Sequence, residues 1–158
     1  MKKYDKILPE VIVGLGSLTE YEAGSTSIKK LHILLEDWLG DDLMTCHPVY
    51  IVTENLKNGL QNQKFKGFEF EDMTVTEDEY FENNFQLDIP LPKFYWMKIV
   101  GKEGEDDLYL SKYLMADIGF VNYLKQNFRT KFLDVNPEIN KKQQELLQKL
   151  AARAKSRE

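Results

Sequence analysis

Apolar runs alternate with polar, glycine-rich and charged segments along the chain, a pattern typical of short strands joined by turns. The run FYWMKIV at residues 94–100 is the most β-prone and predicts a central strand. Within it, Phe94 and Trp96 share one face and Tyr95 lies on the other. Further strands are predicted at residues 10–16, 31–35, 50–53, 67–76, 108–110, 113–116 and 132–135, with a loop at residues 17–27.

Helical spacing predicts two internal helices. Thr53 is a suitable N-cap for a helix in which Leu56 and Leu60 lie four residues apart on one face. Apolar residues at the same spacing predict a second helix over residues 118–127. Both helices directly follow a predicted strand, so strand–helix units are expected.

Two shorter signals predict further helical structure. Thr76 and Glu79 fit a capping box, which predicts a helical turn over residues 77–83. Asn136 and Pro137 then form a good helix start. The terminal helix expected after them has a basic outer face and an apolar stripe of Ile139, Leu146, Leu147, Leu150 and Ala154.

The length of the chain limits the number of domains. With 158 residues, 42% of them apolar, one domain with a substantial core is expected. The predicted elements give an α+β fold, with a mixed β-sheet over residues 1–136. Residues 137–158 form the C-terminal amphipathic helix, which is either packed on the domain or partly frayed.

Two segments, residues 40–73 and 105–135, follow a similar pattern. Each has Asp-Asp-Leu, a strand, an acidic residue, a helix and a Phe-containing strand, and Glu54 corresponds to Asp117 in this alignment. The match needs gaps and shares few identities, so chance explains it as well as duplication does. A duplication predicts two strand–helix–strand repeats that share a sheet.

Charge is distributed unevenly along the chain. Residues 141–158 contain six basic and two acidic residues, whereas residues 1–140 contain fifteen basic and twenty-four acidic residues. Within this acidic body, residues 69–88 carry eight acidic residues and no basic one. Phosphate contacts require Lys and Arg, so no nucleic-acid partner is expected. The acidic body favours a basic partner, or serves solubility alone.

The compartment is inferred from cysteine use and from apolar runs. The single cysteine, Cys46, cannot form an internal disulfide, which favours the reducing cytoplasm. Asp5, Pro9 and Glu10 interrupt the first apolar run, so a structural segment is expected there rather than a signal peptide. No run approaches the roughly 18 apolar residues of a membrane helix, and no membrane partner is expected.

Catalytic chemistry has few candidates in this sequence. The chain has only two histidines, and His32 alternates with apolar neighbours, as a core residue does. Adjacent Cys46 and His47 point to opposite sides of an extended segment and are too few for a structural zinc site. Gly14 and Gly16 lack the third glycine of a dinucleotide-binding loop. We expect no cofactor, no metal site and no enzyme activity.

The acidic pairs Asp41–Asp42 and Asp106–Asp107 offer oxygen ligands of the kind that divalent cations prefer. No D-x-D-x-D-G loop surrounds either pair, so exposed turns are the preferred interpretation. A pair of carboxylates also satisfies the glycosidase template, but such pairs are uninformative in a chain with 26 acidic residues.

Several motifs occur in a recognisable order: DWLGDDL at 37–43, PVYIVTENL at 48–56, GFEF at 67–70, LPKFYWMKI at 91–99 and DDL at 106–108. Over residues 31–135 this succession resembles the predicted immunity proteins of polymorphic toxin systems, a group of small bacterial proteins. The group shares a strand, a Ser/Thr-Glu pair, a helix and a Gly-Phe strand, followed by an LP-x-F/Y-x-W/Y strand and a second Asp-Asp unit. In the second unit of this chain, Ala116-Asp117 replaces the expected Ser/Thr-Glu.

The resemblance implies a non-catalytic binding role. Members lie beside a toxin gene and protect the producing cell, so the expected partner is a cognate toxin domain, such as a nuclease with a basic cleft. An acidic surface would fill that cleft in place of phosphate, and charge attraction would speed association. The expected partner-binding residues are Asp41, Asp42, Glu71, Asp72, Glu77, Asp78, Glu79, Asp106 and Asp107.

Two other interpretations stay open. The alternative is a small adaptor or subunit of a bacterial complex unrelated to toxins, in which the acidic body and the basic terminal helix make different contacts. An enzyme that uses carboxylates is the third, and it predicts a closed pocket lined by acids with raised pKa values. The chain is expected to be a monomer, or a weak homodimer formed through an exposed strand edge.

Overall fold

The computed structural model describes residues 2–12, 14–46 and 48–137, and their fold is α+β, as predicted. The helices are α1 (Glu54–Gln61), α2 (Phe81–Asn84) and α3 (Ile118–Asn127). The strands are β1 (Tyr4–Leu8), β2 (Glu10–Val11), β3 (Glu20–Tyr21), β4 (Ile28–Lys30), β5 (His32–Leu35), β6 (Leu43–Cys46), β7 (Val49–Thr53), β8 (Phe68–Glu71), β9 (Thr74–Glu77), β10 (Phe94–Ile99), β11 (Leu108–Leu110), β12 (Leu114–Asp117) and β13 (Asp134–Val135).

Two sheets have the same internal strand order. In the first sheet the order is β6-β7-β10-β8, with β2 added beside β6 in parallel. In the second sheet the order is β11-β12-β1-β13. In each, an antiparallel hairpin leads into a helix, and a strand from elsewhere in the chain lies antiparallel between the hairpin and the strand after the helix. The segments that looked similar in sequence therefore adopt the same arrangement.

The helix starts show how the two units correspond. Thr53 is the N-cap of α1, where its hydroxyl accepts the Leu56 N–H at 3.3 Å. Asp117 is the N-cap of α3, where its carboxylate accepts the Gly119 N–H at 2.9 Å. Each side chain satisfies an amide that the first helical turn leaves without a partner. Asp117 therefore corresponds to Thr53, and the alignment of Asp117 with Glu54 is wrong by one residue.

The inner faces of both sheets and the helices α1 and α3 share one hydrophobic cluster. Its fully enclosed members come from both units, so neither unit has a separate core of its own on this side. Burial of each large side chain contributes about 1.5–3 kcal/mol to stability. The buried members are Ile7, Leu43, Val52, Leu56, Leu60, Met97, Leu108, Leu114, Ala116, Phe120, Val121 and Leu124.

The outer face of the first sheet is covered by a second layer. This layer consists of the parallel pair β5–β9, the following helix α2 and the segment around Trp38. The ring of Trp38 lies edge-on to the ring of Phe94, with centroids 5.5 Å apart. Phe94 and Trp96 are both buried on this face, and Tyr95 packs against the inner cluster. The predicted alternation along β10 is confirmed.

Several predicted elements differ from the observed ones. Residues 17–27, predicted as loop, contain β3 and part of the hairpin β3–β4, and neither β1 nor β6 was predicted. The capping box is also wrong, because Thr76 belongs to β9 and α2 begins later, after Tyr80. Asn136 is the last residue before Pro137 and accepts the Lys6 N–H through its side chain at 2.9 Å. The predicted terminal helix beyond it lies outside the described residues.

Candidate protein-binding surface

The pair Asp41–Asp42 is buried, with relative exposures of 1% and 9%, so the prediction of an exposed turn is wrong. The Asp41 carboxylate accepts the N–H groups of Lys131 and Phe132 at 3.0 and 2.7 Å. Burial raises the pKa of Asp41 despite these bonds. Both carboxylates therefore face the interior, and neither is available to a partner.

The Asp42 carboxylate is also engaged internally. It accepts the Thr53 hydroxyl at 2.6 Å and the Arg129 N–H at 2.8 Å. The same hydroxyl of Thr53 caps α1, so Asp42 orients a helix cap as well as the chain after α3. This pair of residues has a structural role that links the two units.

The pair Asp106–Asp107 is half-buried and also used internally. The Asp106 carboxylate accepts the Lys102 N–H at 2.7 Å, which closes the turn before β11. The Asp107 carboxylate accepts the Lys66 N–H and the Lys2 ammonium, both at 2.7 Å. Asp107 occupies in the second unit the position that Asp42 has in the first. This pair lies in a turn, as predicted, but it is only partly exposed and its carboxylates bind groups of the same chain.

Glu71 and Asp72 lie on the surface at the end of β8. Glu71 is 3.3 Å from the Lys98 ammonium, and Asp72 is 3.7 Å from that of Lys93. Exposed pairs of this kind contribute about 0–1 kcal/mol to stability, but they partly neutralise the charge that a partner meets. These two residues are accessible, yet they are weaker sources of negative potential than their charge alone suggests.

Several exposed acidic residues surround α2. Glu77, Glu79 and Glu82 are exposed, and none of them forms an ion pair within the described part of the chain. Asp78 differs from them, because its carboxylate accepts the Tyr80 N–H at 3.0 Å and thereby fixes the turn before the helix. We call Glu77, Glu79, Tyr80 and Glu82 the α2 acidic surface.

Tyr80 gives this surface an aromatic centre. Its side chain is 57% exposed and belongs to neither hydrophobic cluster. Tyrosine combines apolar contact area with a hydroxyl and is enriched among the residues that dominate binding energy at interfaces. Sequence reasoning missed Tyr80 and Glu82, although both lie within the acidic segment 69–88.

The remaining buried polar side chains are also satisfied. His32 is 5% exposed, accepts the Leu18 N–H on Nδ1 at 3.1 Å and pairs through Nε2 with the Thr76 hydroxyl at 2.8 Å, which confirms it as a core histidine. Glu10 accepts the N–H groups of Leu39 and Asp41 at 3.0 and 3.1 Å. Burial raises the pKa of Glu10.

Cys46 is buried, and burial raises the pKa of its thiol, which disfavours the reactive thiolate. His47 lies outside the described residues. Among residues 2–12, 14–46 and 48–137, no group of three or more His, Cys, Asp or Glu is placed to hold a metal ion. Over the same ranges no helix is long and apolar enough to cross a membrane.

An open depression of about 350 Å³ lies between the β3–β4 hairpin and the end of β10. Its lining is mainly apolar and includes Trp96 and Val100, with Glu22 and Lys98 as its charged members. Comparison with known proteins adds no assignment, because no family model, no curated protein and no solved structure matches this chain.

Proposed function

We propose that this protein is a non-catalytic immunity protein that binds and neutralises a cognate bacterial toxin domain through the α2 acidic surface. The observation that carries the proposal is the exposure of three unpaired carboxylates around Tyr80, within the part of the chain that the structure describes. Such a surface attracts a basic protein from a distance and offers an aromatic anchor on contact.

The use of the buried acids supports a binding role. Glu10, Asp41 and Asp42 each accept backbone N–H groups of their own domain, and Asp42 also accepts the Thr53 hydroxyl. A carboxylate that donates or accepts protons in catalysis has to reach its substrate. These three carboxylates bind loops and strands of their own domain. The exposed acidic residues are therefore the ones that can contact other molecules.

The resemblance described above supplies the class of partner. A toxin domain with a basic cleft, such as a nuclease, matches the sign of the α2 acidic surface. Charge complementarity mainly increases the association rate and the specificity of a complex. The adaptor interpretation shares the acidic surface but makes no prediction about a toxin.

The experiment is a charge reversal measured on the association rate. The C-terminal domain of the large protein that the proposal expects to be encoded beside this gene is immobilised, and binding is followed at about 50 mM and about 200 mM salt. The test variant carries Glu77→Lys, Glu79→Lys and Glu82→Lys. The matched control carries Glu22→Lys, Glu103→Lys and Glu105→Lys, which are exposed acids elsewhere with the same change in net charge.

The test variant is expected to associate about tenfold or more slowly than the control at the lower salt concentration, with the gap narrowing at the higher one. Equal effects of the two variants would show that net charge alone matters and would remove the α2 acidic surface from the proposal. A toxin domain that the unmodified protein does not bind contradicts the immunity function and favours the adaptor interpretation.

A further inference from the structure

The strand β9 has a free edge. It pairs with β5 in parallel, and among the residues that the structure describes no strand lies on its other side. The N–H groups of Thr74 and Asp78 donate to the residue before β5 and to the last residue of β5, at 3.0 and 2.8 Å. Main-chain groups point alternately to the two sides of a strand, so those of Val75 and Glu77 point away from β5. These two residues offer donors and acceptors to which a further strand can add.

An open groove of about 500 Å³ lies beside this edge. Met73 and Val75 line its β9 side, and Leu91 and Phe94 line the opposite side. All four side chains also pack in the hydrophobic cluster between the first sheet and the layer that covers it. Because alternate side chains of a strand share a face, an extended segment in the groove would have apolar contacts for every second side chain.

The opposite side of the groove has fewer main-chain groups to offer. Pro92 has no N–H group, and the Lys93 carbonyl accepts the Glu54 N–H at 2.9 Å. That side therefore contributes apolar side chains more than free donors and acceptors. Hydrogen bonds to β9 would fix the register of an added strand, and the opposite side would contact its side chains.

The charge of the groove indicates the chemistry of the segment that fits it. Glu77 lines the groove and belongs to the α2 acidic surface with Glu79, and neither forms an ion pair within the described part of the chain. Lys93, on the opposite side, is 3.7 Å from Asp72, which partly neutralises it. Opposite charges on neighbouring strands attract, and like charges repel. A basic segment is therefore favoured, whereas a second copy of β9 would bring its own glutamates to the same edge.

We propose that β9 accepts an extended segment of a partner protein as an added strand, which pairs with the main chain of Val75 and Glu77. The side chains of this segment that face the groove are apolar beside Met73 and Val75 and basic beside Glu77 and Glu79. The identity of the partner, a toxin domain, rests on the proposed function. The added strand itself rests on the geometry and charge of β9 and its groove.

Two synthetic peptides test the proposal on the full chain, the acetylated sequence Lys-Thr-Lys-Thr-Val-Thr-Val and its reverse. The first peptide as an antiparallel strand, or the second as a parallel strand, places lysines beside Glu79 and Glu77 and valines beside Val75 and Met73. Binding is followed by NMR through the amide hydrogen exchange of the protein. The N–H groups of Thr74 and Asp78, which already have acceptors, serve as internal references.

One of the two peptides is expected to slow hydrogen exchange at the amides of Val75 and Glu77 several-fold, because both gain acceptors, and to change Thr74 and Asp78 much less. Glu77→Lys should weaken this binding, whereas Glu103→Lys, which changes an exposed acid elsewhere, should leave it unchanged. If neither peptide slows exchange at Val75 and Glu77 at concentrations up to about 10 mM, the proposal is wrong.

Methylated versions of the binding peptide distinguish a main-chain ladder from charge attraction alone. One version carries N-methyl groups on the lysine and valine amides, and the other carries them on the threonine amides, so the two block opposite edges of the peptide strand. Binding should survive in one version and be lost in the other. Equal binding of the two versions would overturn the proposal.

The toxin domain itself separates this proposal from the proposed function. A domain that binds the protein without slowing exchange at Val75 and Glu77 contradicts the added strand and leaves the immunity function standing. A peptide that forms the ladder, together with a domain that does not bind, supports the added strand and contradicts the immunity function.

Discussion

Asp42 and Arg129 are hydrogen-bonded to each other twice, although 87 residues separate them. The Asp42 N–H donates to the Arg129 carbonyl at 2.9 Å, and the Arg129 N–H donates to the Asp42 carboxylate at 2.8 Å. Asp107 and Lys66 form the same two bonds, at 2.9 and 2.7 Å. Each unit is therefore hydrogen-bonded to the segment that follows the helix of the other unit. These two reciprocal pairs of bonds connect the two repeats.

Removing the buried carboxylate of Asp42 should destabilise the fold. In Asp42→Ala the Arg129 N–H and the Thr53 hydroxyl lose their acceptor, and we expect a loss of about 2–4 kcal/mol in the free energy of unfolding. Urea unfolding of the variant measures it. Exposed Asp88→Ala is the control and should change stability by less than about 0.5 kcal/mol. Equal stabilities of the two variants would show that the hydrogen bonds of the Asp42 carboxylate contribute nothing to the free energy of unfolding.

Gly67 marks the place where the two sheets meet. It has a φ of +113°, and a Cβ atom there would overlap the carbonyl oxygen of Leu108. Gly104 also has a positive φ, of +82°, but open space surrounds it. We expect Gly67→Ala to lower the midpoint of thermal unfolding clearly more than Gly104→Ala, because only the first variant adds a steric clash with backbone to the conformational strain. A larger loss in Gly104→Ala would contradict this contact.

The N-cap position of α3 should tolerate the residue type found at the N-cap position of α1. Asp117→Ala removes the acceptor of the Gly119 N–H and is expected to cost about 1 kcal/mol in chemical unfolding. Asp117→Thr introduces the side chain that Thr53 presents at the start of α1 and should retain most of that stability. If the Thr variant is as unstable as the Ala variant, Thr53 and Asp117 are not equivalent.

Glu10 should give stability a pH dependence of definite sign. Burial raises its pKa above the ordinary value of 4.5, so the folded state holds the proton more tightly than the unfolded state does. Its contribution to the free energy of unfolding therefore falls as the pH rises from about 4.5 to the raised pKa and stays constant above it.

Glu10→Gln cannot titrate and should lack this component. Urea unfolding of both proteins from about pH 4 to about pH 8 is expected to show the stability of the unmodified protein, relative to the variant, decreasing with rising pH. A relative stability that increases with pH would mean that the hydrogen bonds from Leu39 and Asp41 outweigh burial.

Local patterns predicted the elements whose signals lie within a few residues. The cap at Thr53, the spacing of Leu56 and Leu60, and the aromatic run of β10 all correspond to observed structure. The β1 strand was not predicted, because its partners β12 and β13 lie more than 100 residues away along the chain. Because these partners are so distant in the sequence, the residues of β1 itself carry no local pattern that indicates the pairing.

The candidate surface was predicted only in part, for the same reason. An Asp-Asp pair beside a glycine looks like an exposed turn, and the amides that bury Asp41 and Asp42 belong to residues 129–132. The acidic segment 69–88 was recognisable from composition, whereas the ion pairs that distinguish Glu71 from Glu77 depend on β10 and its flanks. Composition located the charge, and tertiary contacts decide which charges are free to bind.

The most direct test of the proposed immunity function is bacterial survival. Cells express the C-terminal domain of the large protein that this function predicts to be encoded beside this gene, with and without this protein. The unmodified protein is expected to restore growth and to co-purify with the domain. The variant with Glu77→Lys, Glu79→Lys and Glu82→Lys should protect far less than the matched control. A toxic domain that kills equally in the presence of the folded, unmodified protein would contradict the proposed function.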